Sequence, residues 1–96
     1  MKTHQIDEIK KMLIKVLREH GVKKAALFGS IVRGEATERS DIDLLVEFVG
    51  RKSLLDLAGL KLELQELLKK KVDVVTYKSL HPLLKEKILS EQEVIL

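Results

Sequence analysis

Apolar residues recur along this chain with two different periods, and the changes of period mark its elements. Between Thr3 and Glu19, Ile6, Ile9, Leu13, Val16 and Leu17 fall at helical spacing among lysines and acids. The pattern predicts an amphipathic helix over 3–19 with one core-facing stripe. Asp7 and Glu8 stand in its early turns, where the helix dipole favours acids, and Gly21 after His20 is a natural stop. His4 and His20 have no neighbours at metal-ligand spacing and are expected at the surface.

Val22 to Phe28 reads as the first strand, in which Ala25, Ala26, Leu27 and Phe28 form a continuous apolar run. Such a run predicts a strand covered on both faces. Residues 30–34 read as a short helical turn and Glu35 to Ser40 as a loop. A second strand opens at Asp41, continues through Leu44, Leu45, Val46 and Phe48, and ends at Gly50. Ser53-Leu54-Leu55-Asp56 has the form of a capping box and opens a helix reaching about Leu68. Leu57, Leu60, Leu64, Leu67 and Leu68 form its main stripe; Leu55, Ala58 and Leu62 form a second. The apolar arc is therefore wider than one sheet contact needs, which fits either a helix wedged between sheet and helix or a partner surface. Val72 to Thr76 predicts a third strand. Ser79 is expected to cap a last helix with Pro82 in its first turn, and Leu83, Leu84, Ile88 and Leu89 on its apolar side. Val94-Ile95-Leu96 closes the chain as a short strand or by packing down.

Composition narrows the class. Ninety-six residues suit one domain over 1–96, with no room for a separate substrate domain. With 45% hydrophobic and 34% charged residues, a globular fold with a small core is expected. A core of that size gives limited stability, which a partner or a homo-oligomer would supplement. The absence of cysteine excludes disulfides and thiol chemistry and fits a reducing cytoplasm. No signal peptide opens the chain and no apolar run reaches membrane-spanning length. The net charge of +3 helps to hold a triphosphate but gives no indication of nucleic-acid binding. Abundant Lys, Arg and Glu with no Asn or Cys is the ionic bias of thermophile proteins.

The chemistry concentrates between Ala25 and Phe48. Gly29 lets the backbone bend and approach a ligand closely. Ser30 starts a helical turn, whose free N–H groups and dipole favour a phosphate. Asp41 and Asp43 are two apart, so on a strand both carboxylates share a face. Paired hard oxygens of this kind suit Mg²⁺, with substrate phosphates completing the shell. Asp73 is out of place in a β-branched strand, because a buried acid is rare unless paired or metal-bound. A phosphate cradle facing paired carboxylates is equipment for phosphoryl or nucleotidyl transfer.

Gly29-Ser30, Arg33-Gly34 and Ser40-Asp41-Ile42-Asp43-Leu44 together resemble the signature of the minimal nucleotidyltransferases, members of the DNA polymerase β-like superfamily. The resemblance covers nearly the whole chain. It implies an α/β (α+β) fold, a small mixed sheet packed with helices. It also implies a nucleotide site at Gly29, Ser30, Arg33 and Ser40, and makes Asp73 the third metal ligand beside Asp41 and Asp43. Two Mg²⁺ ions with ATP, an in-line attack on the α-phosphorus and loss of pyrophosphate follow from it. Family members pair with a helical HEPN protein, often a ribonuclease toxin, and act as its antitoxin, in some cases by adding AMP to a tyrosine. Two roles therefore compete: an enzyme that nucleotidylates a partner protein, and a non-catalytic module that masks it. Transfer to a small molecule is a third, disfavoured by the missing substrate domain.

The site also dictates topology. Gly29 and Ser30 lie at the end of strand one and Asp41 at the start of strand two. Both must meet one substrate, so these strands should be antiparallel. Asp73 lies near the start of strand three, so strands two and three should be parallel, with helix 53–68 as a right-handed crossover.

Overall fold

A computed structural model of the chain describes residues 3–35 and 41–96, with side chains from Asp7 onward. Helix α1 runs Thr3–Glu19, strand β1 Val22–Phe28, helix α2 Ser30–Arg33, strand β2 Ile42–Phe48, helix α3 Leu54–Leu68, strand β3 Val72–Thr76, helix α4 Pro82–Glu91 and strand β4 Glu93–Val94. The four strands form one mixed sheet in the order β3-β2-β1-β4. β1 and β2 are antiparallel, β2 and β3 parallel, as the position of the candidate site demanded, and β4 adds antiparallel to β1. The fold is α+β.

Parity along the central strands separates two faces. Ala25 pairs with Val46 and Leu27 with Leu44. These four pack with Leu13 and Leu17 of α1 and Leu60 and Leu64 of α3 in the main core. Ala26 and its partner Leu45 point the other way and are equally buried, which explains why neither strand alternates. Asp43 shares the parity of Leu45, so it lies on the face opposite the α1–α3 layer. Ile9 and Val16 lean on the core from α1, whereas Ile6 and His4 fall outside the described side chains. His20 is half-buried rather than free at the surface, its Nε2 3.2 Å from Glu63 Oε2 of α3. Among the described residues no helix is long and apolar enough to cross a membrane.

The capping box opens α3 as the sequence implies. Ser53 N donates to Asp56 Oδ2 at 2.8 Å, and Asp56 N donates to Ser53 Oγ at 3.3 Å. Ser53→Ala should therefore destabilise the fold by about 1 kcal/mol. For a chain of this size that lowers the melting temperature by about 4–8 °C, measurable by circular dichroism.

Ser79 does not cap the last helix. It ends a 3₁₀ turn over Tyr77–Ser79, and its hydroxyl donates to Thr76 O at 3.0 Å. The cap is His81, whose Nδ1 accepts from Leu83 N at 3.1 Å. An imidazole acceptor two residues upstream of a free N–H replaces the expected hydroxyl. Leu83 and Leu84 of α4 are exposed, while Ile88 and Leu89 are half-buried. Beyond β4, Ile95 N and Leu96 N both donate to Ala25 O, so the C-terminus is tied to the sheet edge.

Candidate active site

β1 delivers its last residue, Phe28, opposite Asp43 of β2. The chain must then leave the sheet sharply, and Gly29 does so with φ +79° and ψ −151°. That region is essentially closed to residues carrying a Cβ. A Cβ at Gly29 would also fall on the Asp43 carboxylate, with Oδ2 its nearest neighbour. Glycine is thus required twice, by backbone and by space. Gly29 O then accepts from Val32 N at 3.1 Å and Arg33 N at 3.2 Å, which winds α2 with half-buried Ser30 at its head. Ile31 anchors this turn in the core, and Gly34 in the left-handed region ends it.

Asp43 and Asp73 are register partners across the parallel β2–β3 ladder. Neighbouring strands lie about 4.8 Å apart, so the two carboxylates start side by side on one face. Asp41 precedes β2 by one residue and is half-exposed. Burial pushes the Asp43 carboxyl above its ordinary value, and the negative charges of Asp73 and then Asp41 push it further. Arg33 opposes this without cancelling it. Among the described residues no three carboxylate or imidazole groups already stand together as a metal site. What the fold supplies is a partly desolvated carboxylate with two like charges near it. Hard oxygen donors carrying unbalanced negative charge fit a divalent cation that shares its shell with phosphate oxygens.

Arg33 is exposed and held by two acids. Its Nε donates to Glu35 Oε2 at 3.3 Å and its Nη1 to Glu91 Oε2 at 3.4 Å. The Glu35 hydrogen bond leads the causes that raise its pKa. Glu91, at the end of α4, is a contact that sequence reading missed, because no periodicity or motif joins residues 58 apart. The structure thus brings together Gly29, Asp43 and Asp73, with Asp41 and Arg33 in electrostatic reach. Ser40 lies outside the described residues.

A glycine turn set against paired carboxylates at the open end of a small mixed sheet defines a class of protein: enzymes that transfer phosphoryl or nucleotidyl groups. The comparisons place the chain within it. The chain belongs to the nucleotidyltransferase domain family, whose model it matches over residues 9–95. It is 60% identical over 86 residues to a Methanocaldococcus jannaschii protein named as a candidate protein adenylyltransferase, covering 90% of this chain and 92% of that one. A solved structure of a candidate minimal nucleotidyltransferase superposes with a TM-score of 0.82 at 40% identity, over 97% of this chain and 95% of that chain. A toxin–antitoxin crystal structure with AMP-PNP superposes with a TM-score of 0.81 at 25% identity, over 91% and 72% of the two chains. The protein is a nucleotidyltransferase of the minimal type.

Proposed function

We propose that this nucleotidyltransferase moves AMP from ATP to a hydroxyl on a partner protein, and that the partner is a helical HEPN-family toxin which it neutralises in the cytoplasm. The observation that carries the reading is the Asp43–Asp73 pair on adjoining strands beside a turn that only glycine can make. The protein-adenylyltransferase name of the 60%-identical relative supports the acceptor class. The AMP-PNP in the toxin–antitoxin structure supports nucleotide and partner.

Asp41, Asp43 and Asp73 would hold two Mg²⁺ ions, shared with phosphate oxygens of ATP. When bound, such ions stabilise charge on the transferring phosphate and favour loss of the acceptor proton. The chain's own groups do the rest. Gly29 leaves the space through which the phosphates approach Asp43. Ser30 and the adjoining N–H groups hold the terminal phosphates. Arg33 adds positive charge on parting from Glu35 and Glu91. The acceptor oxygen forms a bond to the α-phosphorus, the bond to the β-phosphate oxygen breaks, pyrophosphate leaves and the hydroxyl proton is lost.

Masking without chemistry is the second reading, favoured by the exposed leucines of α3. Incubation with α-labelled ATP, Mg²⁺ and the HEPN protein separates the two. Label on the partner, absent when EDTA is included from the start, is the expected result. Neutralised toxin carrying no label would establish masking instead.

A further inference from the structure

Helix α3 turns two faces to two environments. Leu60 and Leu64 are fully buried against the sheet, while Leu55 is 83% and Leu62 65% exposed on the opposite side. Leu55 and Leu62 are seven residues apart and so lie one above the other, two turns along one face. Between them sit Ala58 and Gly59, both exposed. The glycine is the telling residue. Its φ lies outside the left-handed region, and a Cβ built on it meets no atom within 4 Å. Nothing among the described residues therefore requires a glycine there, although in mid-helix glycine is less favourable than alanine. A second backbone passing close to this face would require it.

We infer that the exposed face of α3 pairs with the same face of a second copy of this chain, in antiparallel register about the Ala58–Gly59 step. The strip is self-complementary in that register, as a twofold contact requires. Leu55 of one copy meets Leu62 of the other, and the small residues meet at the axis. Charge agrees with the direction. Antiparallel pairing sets the Arg51 end of one helix beside Glu66 of the other, and neither residue has an ion-pair partner among the described residues. The face lies across α3 from the core and leaves the carboxylate site uncovered, so the pairing does not depend on the transfer reaction. A single helix pair buries less than the roughly 1,200 Å² of a stable interface. The dimer is accordingly weak and concentration-dependent.

Sedimentation velocity over a wide concentration range should show monomer passing to dimer, in the same samples with and without Mg-ATP. Gly59→Gln puts bulk at the axis while favouring the helix, so it should melt no lower than the native chain yet lose the dimer. Orientation is read by cysteine cross-linking, for which the native chain offers a background with no cysteine. Ala58→Cys should link rapidly under mild oxidation. Glu66→Cys should not, since antiparallel copies of that position lie about 22 Å apart along the helices. A native chain that stays monomeric throughout, a Gly59→Gln chain that dimerises normally, or equal linking at the two positions would overturn the inference and leave the face to a different protein.

Discussion

Replacing Asp43 with Asn is expected to abolish AMP transfer and at the same time make the metal-free fold more resistant to heat. The two effects have one cause. The fold places Asp43 against Asp73 and within reach of Asp41, where burial and like charge both oppose ionisation. An amide of the same shape relieves that opposition but cannot clamp a divalent ion. Loss of one such ligand should lower kcat by on the order of 10³-fold or more, about 4 kcal/mol of transition-state stabilisation. The stability effect has a definite pH dependence. A carboxyl whose folded pKa is raised binds its proton more tightly in the folded state, so stability falls as pH rises from the ordinary value near 3.8 through the raised one. The penalty is absent in acid and complete above the raised pKa. The melting-temperature gap between Asp43→Asn and the native chain should therefore be widest near neutral pH and close toward pH 4. Mg²⁺ should raise the melting temperature of the native chain more than that of the variant, because binding to the folded state adds to its stability. Transfer within tenfold of native, or a variant that melts lower at neutral pH, would remove Asp43 from the proposed site.

Gly29→Val should fail on two counts, and a comparison with Gly50 separates them. Both glycines have positive φ, +79° and +71°. A Cβ at Gly50 meets nothing within 4 Å, whereas at Gly29 it strikes the Asp43 carboxylate. Backbone strain alone is worth about 1–3 kcal/mol, which at either position lowers the melting temperature by roughly 4–8 °C per kcal/mol. Gly50→Ala should show that loss and keep nucleotide affinity. Gly29→Val should melt lower still and bind Mg-ATP at least tenfold more weakly, because the valine occupies the approach to Asp43. Calorimetric titration of Mg-ATP against the native chain and both variants measures this. The loss of stability follows from the backbone, because the turn is strained for any residue with a Cβ. Equal affinities in the native chain and Gly29→Val would make the Gly29–Ser30 turn a turn and nothing more.

Local signals in the sequence carried far. Helices 3–19 and 54–68 are legible because their leucines and isoleucines repeat at 3.6 residues, and Ser53 with Asp56 marks a helix start through bonds spanning three residues. The three strands are legible from short apolar stretches, Ala25 to Phe28, Leu44 to Val46 and the β-branched residues around Asp73. Even the strand directions followed, because Gly29 and Asp41 can meet one substrate only if β1 and β2 run oppositely. The last helix was less legible. Ser79 looked like a cap, but backbone direction at Leu80 and His81 decided which side chain could reach a free N–H.

What the sequence by itself determined was the inventory: which segments are helix and strand, which acids are misplaced for packing, and where a glycine must bend the chain. Those properties depend on neighbours a few residues away. Only the tertiary structure decided the pairings between distant residues. It put Asp73 beside Asp43 in register, closed Gly29 to any side chain, tied Arg33 to Glu91, and turned Leu55 and Leu62 outward while Leu60 and Leu64 turned in. The physical reason is the same in each case. Register across a parallel ladder and the choice of buried helix face are set by how the whole core closes, and two stripes on one helix look alike until the sheet has chosen between them.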